Sequence, residues 1–142
     1  MMMKNKKEKL AIFDLDDTVI EINTTFQFIK FCLWRVNKLK YFLFILMEQT
    51  IIFFSRARAI AFLKGIPKNV ILNLSDVFLD KIDKYLNKDI LTKIQTFKNN
   101  GYKLVLISAS LDFLVEGIAK KLNFNDCYGS EFIFIVEFES KI

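Results

Sequence analysis

One stretch near the start, Ala11–Ile20, limits what this chain can fold into more than any other. It reads Ala-Ile-Phe-Asp-Leu-Asp-Asp-Thr-Val-Ile. The apolar run Leu10–Phe13 stops abruptly at a burst of carboxylates, Asp14, Asp16 and Asp17. A short apolar run closed this way predicts a buried parallel strand that delivers acids at its carboxyl end. That end is where open α/β sheets bind ligands. On an extended chain Asp14 and Asp16 project to the same side. Carboxylates so close repel each other unless a cation or a shared proton intervenes. Mg²⁺ favours oxygen ligands of this kind, taking one or two carboxylates together with substrate phosphate. The residues therefore imply a strand-end acid pair suited to Mg²⁺ and a phosphorylated ligand. An acidic turn that merely closes a strand is the plainer alternative, disfavoured by the apolar residues on both sides.

A second strand is predicted over Tyr102–Ile107, ending at Ser108-Ala109-Ser110, with a helix over Leu111–Leu122 on which Leu114, Ile118 and Leu122 are spaced by four. Small hydroxyl residues between a strand and a helix N-terminus make a seat for phosphate, because free N–H groups and the helix dipole favour an anion there. Ser108, at the expected strand end, is the candidate for that contact. Ser110 is expected only to cap the helix. Phe124–Tyr128 and Phe132–Phe138 are further strand candidates.

Between the two strong strands the chain reads as helix throughout. Asn23 or Thr24 caps a helix to about Asn37, with Phe26, Ile29, Leu33 and Val36 on one face. Tyr41–Phe54 is almost wholly apolar, flanked by Arg35, Lys38 and Lys40 before it and Arg56 and Arg58 after it. It is short for a membrane span and carries Glu48 at its middle, so the first expectation is a helix packed within the insertion. Its cationic flanks also suit contact with an anionic membrane surface. Gly65-Ile66-Pro67 breaks the run. Ser75 is expected to cap a helix to Leu86, and a further helix covers Asn87–Asn99, closed by Asn100-Gly101. The expected architecture is α/β, with residues 1–20 and 88–142 forming a Rossmann-like parallel-sheet core and residues 21–87 a helical cap inserted after the first strand.

The chain of 142 residues contains no His and two Cys, Cys32 and Cys127, with no CxxC spacing. Zinc sites and His-based triads are thereby disfavoured, and the cysteines read as buried thiols of a reducing, cytoplasmic compartment, peripheral at the membrane's inner face if the apolar stretch touches lipid. The start, with charges followed by a strand, does not read as a signal peptide. The net charge of +5 is concentrated in part in Lys4–Lys9, which reads as a solvated terminus and not a nucleic-acid arm. No Arg–aromatic cluster suited to base stacking is present.

The run Asp14-Leu15-Asp16-Asp17-Thr18 resembles the first motif of the haloacid dehalogenase superfamily, Asp-x-Asp-x-Thr after an apolar strand. Ser108, followed by Ala109-Ser110-Leu111-Asp112 and later by Gly129-Ser130-Glu131-Phe132, is similar to the phosphoserine phosphatase-like branch, whose members carry a helical cap between the first two motifs. Some of that branch, similar to phosphatidylglycerophosphatase C, have an apolar, basic-flanked cap and act on lipid phosphates. The resemblance implies that Asp14 attacks phosphorus to give an aspartyl phosphate and that Asp16 acts as general acid and base. It implies Mg²⁺ held by Asp14 and Asp16, substrate contacts from Thr18, Ser108 and Ala109, and a small-molecule or lipid phosphate ester as substrate. Asp17 fills a variable slot with no chemical role. The family's later Lys and acidic motif would follow where this sequence stops, and Lys141 comes too early to be that Lys. The resemblance thus implies a truncated phosphatase, with an inactive remnant that binds a membrane or partner through its cap as the alternative.

Overall fold

The computed structural model describes residues 7–50 and 54–134. In chain order the elements are β1 (Leu10–Asp14), α1 (Thr24–Val36), α2 (Lys38–Thr50), α3 (Arg56–Ala61), α4 (Lys68–Asp80), α5 (Lys88–Asn99), β2 (Lys103–Leu111), α6 (Asp112–Lys121) and β3 (Asp126–Ser130). The strands form one parallel sheet in the order β1-β2-β3. This is the α/β arrangement that the strand–helix alternation calls for.

Register decides which strand residues are buried. Ala11 pairs with Leu104 and Phe13 with Leu106, and these four share the covered face. There the Phe13 ring meets Phe97 of α5 and Phe124 edge-on, at 6.0 and 5.9 Å between centroids. Leu10, Ile12, Ile107 and Tyr128 alternate to the other face and are exposed. The first strand, expected to be buried throughout, is therefore buried on one face only. A short run that is apolar at every position has no alternation from which this could be read.

β2 also runs further than expected. It continues through Ser108, Ala109 and Ser110 to Leu111, with a break in register against β3 between Ile107 and Leu111. Leu111 is the residue that precedes α6, and it provides no side-chain cap. Ser110 is inside the strand, so its expected role as a helix cap is corrected. Its hydroxyl is used elsewhere, as described below.

The helical stretch leaves and rejoins the sheet at one point. Glu21 N donates to Tyr85 O at 2.8 Å, Asn87 N donates to Val19 O at 3.0 Å, and Ile20 bridges Leu86. Asn23 caps α1 by accepting from Phe26 N, and Asn87 caps α5 by accepting from Asp89 N and Ile90 N. The buried residues of α1 are Thr24, Thr25, Phe28, Ile29, Cys32 and Leu33, whereas Val36 is exposed. A helix that is apolar nearly all round does not announce its inner face, and neighbouring helices chose it. Of the expected Tyr41–Phe54 segment, α2 accounts for the part up to Thr50, and residues 51–53 lie outside the described residues. α4 starts after Pro67, whose φ of −58° is preset for a helix entry. Ser75, expected as a cap, sits buried inside α4 and donates to Leu72 O at 2.7 Å. The residues before Leu86 form a 3₁₀ turn, Ile82–Tyr85, instead of continuing the helix. The third strand falls at Asp126–Ser130, two residues later than expected at each end. Residues 132–134 of the expected last strand are irregular, and 135–138 lie outside the described residues.

Phe28 ties the helical stretch to the sheet layer. Its ring packs edge-on against Phe78 of α4 and Phe113 of α6, at 5.5 and 5.6 Å. Cys32, on the same buried side of α1, has its thiol pushed up to about 12 by burial, with Arg35 opposing the shift. Burial also raises Cys127, which keeps partial exposure. Because the thiolate is the reactive form, an aromatic disulfide reagent is expected to modify Cys127 first and to reach Cys32 only in denaturant. Counting reacted thiols before and after unfolding checks this.

Candidate active site

The site is built where β1 ends. Past Asp14 the backbone turns back on itself: Val19 N donates to Asp14 O at 3.4 Å, and Thr18 N and Ile20 N donate to Leu15 O at 3.3 and 3.0 Å. Asp17 takes the left-handed conformation with φ of +57°, where a short polar side chain is tolerated better than a bulky one. Leu15, Val19 and Ile20 are fully buried and anchor the turn from below. This leaves the acids at the carboxyl end of the sheet.

The two acids have different surroundings. Asp14 is exposed, and its Oδ2 accepts from Thr18 Oγ1 at 3.4 Å. Asp16 is nearly buried, with 9% of its side chain exposed, and is held from three directions. Thr24 N, at the first residue of α1, donates to Oδ1 at 2.9 Å. Ser110 Oγ donates to Oδ2 at 2.5 Å, and Arg56 Nη2 at the start of α3 donates to the same oxygen at 3.0 Å. A helix N-terminus, a hydroxyl and a guanidinium all favour an anion. Asp16 is thus a clamped carboxylate and Asp14 an open one.

Arg56 and Ser110 are the site residues that sequence reading missed. Arg56 was one of several basic residues flanking an apolar stretch, forty positions from its partner, and nothing local marks it. Ser108, by contrast, was singled out. It is buried on β2, just past the Asp14–Ile107 pair, and its Oγ accepts from Ser110 N at 3.0 Å. Ala109 is exposed, and its carbonyl accepts from Ser130 Oγ at 2.9 Å. Gly129 allows β3 to close against this segment: a Cβ there would stand 2.6 Å from Asp112 Cα and 3.1 Å from Ser110 O. These are backbone atoms that cannot swing aside. Gly129→Ala is expected to lower stability by about 1–3 kcal/mol through the forced shift, read as a lower denaturation midpoint.

Among the described residues no group of three or more His, Cys, Asp or Glu side chains is gathered closely enough to hold a metal by itself. What the site offers a cation is the open Asp14 carboxylate and the main-chain carbonyl of Asp16, since the turn's hydrogen bonds go to Asp14 O and Leu15 O. An Mg²⁺ ion typically completes its shell with water and substrate phosphate, so this donor set fits. Two buried polar atoms around Asp16, Thr24 Oγ1 and Arg56 Nε, have no partner among the described residues. Both suit an added oxygen. Two surface hollows, one lined by Lys9, Gly101 and Lys103 and the other by Gln27, Phe31 and Trp34, lie away from the acid pair.

A family model described as haloacid dehalogenase-like hydrolase matches residues 11–137. The chain belongs to that family. Solved structures agree on the fold of this haloacid dehalogenase-like chain. A protein of unknown function from Bordetella pertussis Tohama I aligns with TM-score 0.69 at 16% identity, over 87% of this chain and 60% of its own. A phospho-aspartyl intermediate analogue of phosphoserine phosphatase aligns with TM-score 0.57 at 23% identity, over 87% of this chain and 56% of its own. A phosphoserine phosphohydrolase-like protein from Francisella tularensis aligns with TM-score 0.56 at 23% identity, over 85% and 57% respectively. The chain therefore spans somewhat more than half the length of these structures. No curated protein matches it by sequence.

Proposed function

We propose that this chain carries the nucleophile and acid–base part of a Mg²⁺-dependent phosphatase that cleaves a phosphate monoester through an aspartyl-phosphate intermediate. The observation that carries the proposal is the unequal acid pair: an open carboxylate at Asp14 beside a clamped one at Asp16. Family membership and the phosphoserine phosphatase neighbours support it. Residues 21–87 act as a cap over this site, and Arg56 reaches Asp16 from it.

An Asp14 carboxylate oxygen attacks phosphorus, the P–O bond to the ester oxygen breaks, and Asp16 in its protonated form gives its proton to the departing oxygen. Water then attacks phosphorus, the P–O bond to Asp14 breaks to release its carboxylate and inorganic phosphate, and Asp16 takes the water's proton. Splitting the hydrolysis in two replaces one hard step by two easier ones. Thr18 orients Asp14, and Ser108 with the exposed Ala109 edge of β2 faces the phosphoryl oxygens. A phosphate dianion competes with Asp16 for the Arg56 guanidinium, and an Arg56 that turns to phosphate leaves Asp16 Oδ2 open to the proton it transfers. A bound Mg²⁺, held by Asp14 and the Asp16 carbonyl, would offset repulsion between the anionic nucleophile and the phosphate.

The test is phosphate release from an aryl phosphate by the purified chain, with Mg²⁺ and with a chelator. Release that requires Mg²⁺ is expected; none with Mg²⁺ in a folded sample overturns the reading. A small polar phosphate ester and a short-chain lipid phosphate, run in parallel, distinguish the two substrate sources.

A further inference from the structure

α2 turns its apolar side outward. Phe44 is its one fully buried side chain among the described residues, while Leu39 is 80% exposed, Phe42 62% and Leu46 56%, with Leu43 also exposed. Positions 39, 42, 43 and 46 recur in steps of three and four and therefore share one helix face. Trp34 and Val36 extend the patch from the end of α1. Trp34 packs edge-on against Tyr41 at 5.1 Å, which ties the two helix ends together. A contiguous apolar face of this kind marks an interaction surface.

The charge around it says which surface. Residues 24–68 contain eight Lys and Arg but a single acid, Glu48, so this stretch carries +7 while the rest of the chain stands at −2. Glu48 is paired with Lys30 at 3.2 Å, and Arg56 is occupied by Asp16. Arg35, Lys38, Arg58, Lys64 and Lys68 are exposed. Lys38 Nζ sits 4.9 Å from the Trp34 ring centre, and Lys40 Nζ donates to Lys64 O at 3.0 Å, which brings Lys64 beside the start of α2. Cations thus stand at the start of the apolar stripe, and the single acid within residues 24–68 is paired. A second copy of this chain would bring like charge against like. An anionic bilayer offers both complements at once, acyl chains for the stripe and phosphates for the rim.

We propose that the outer face of α2, with the end of α1, seats this chain on an anionic lipid bilayer. α2 lies in the interfacial plane, Leu39, Phe42, Leu43 and Leu46 enter the acyl boundary, and Arg35, Lys38 and Lys64 meet headgroup phosphates. No helix among the described residues is long and apolar enough to cross a membrane, which agrees with a helix lying on the surface. This inference does not depend on the phosphatase reading.

Trp34, the chain's one tryptophan, reports directly on the proposal. Full chain is mixed with phosphatidylcholine vesicles, with or without phosphatidylserine, and followed by Trp34 emission and co-sedimentation. A blue shift and sedimentation are expected with phosphatidylserine present, both falling in high salt. Phe42→Ser with Leu46→Ser is expected to weaken binding at least about tenfold. Both side chains are exposed, so circular dichroism and the melting temperature stay the same. Lys38→Gln with Lys64→Gln is expected to cost roughly fivefold per charge on anionic vesicles, with no change on neutral ones. An unshifted Trp34 spectrum without sedimentation overturns the proposal. So does binding that neither pair of substitutions alters, or light scattering that shows a dimer broken by the Phe42 and Leu46 changes.

Discussion

Asp14→Asn is expected to lower phosphate release by about 10³-fold or more while leaving the melting temperature where it was. The carboxamide keeps the shape but is a poor nucleophile towards phosphorus. Little is lost structurally, because Asp14 is exposed and its side chain has one long hydrogen bond among the described residues, 3.4 Å from Thr18. Asp16→Asn separates the two acids. It removes the charge that Arg56 and Thr24 N address and leaves a partly buried guanidinium without its counter-ion. Its cost is about 1–2 kcal/mol of stability, discounted for the exposure of Arg56, in addition to lost activity. Activity assays paired with thermal melts on both variants check the contrast. Full turnover in Asp14→Asn, or an equal drop in melting temperature for both, would falsify the division of roles.

The parts of this structure that were legible in the sequence are those where a strong local pattern coincides with a rigid element. The Leu10–Asp14 strand, the Asn23 cap, the helix beginning at Asn87 and the Gly101 helix stop each rest on side-chain or backbone chemistry within a few residues. The acids were legible for the same reason. What surrounds Asp16 was not. Ser110 looked like a cap because it stood before a helix, yet β2 extends through it and aims its hydroxyl at a carboxylate 94 positions earlier. Arg56 looked like one of several flanking cations, and only the packing of α3 against α1 brings it to the acid. Uniformly apolar stretches hid the rest. They fix that an element is apolar without fixing which side faces inward, so the open face of β1 and the outward stripe of α2 both had to come from the fold.

The largest loss of stability is expected at Phe28. Its side chain is fully buried and lies between Phe78 and Phe113, so it contacts the helical stretch on one side and the helix over the sheet on the other. Phe28→Ala removes the ring's burial, opens a cavity at that seam and breaks two edge-on aromatic contacts. Together these are expected to cost about 3–5 kcal/mol, a large share of the roughly 5–15 kcal/mol that holds a domain together. The urea midpoint should fall accordingly. Phe42→Ala on the exposed stripe should stay within about 0.5 kcal/mol of the parent. The Phe28 change should also reach the site, because α1 presents the Thr24 N–H that holds Asp16. A helix that settles into the cavity moves that donor, and small misplacements of catalytic groups are costly. Phosphate release is therefore expected to fall in Phe28→Ala even at temperatures where the chain remains folded. Activity equal to the parent in that folded sample would mean that the seam supports the fold without positioning the acid.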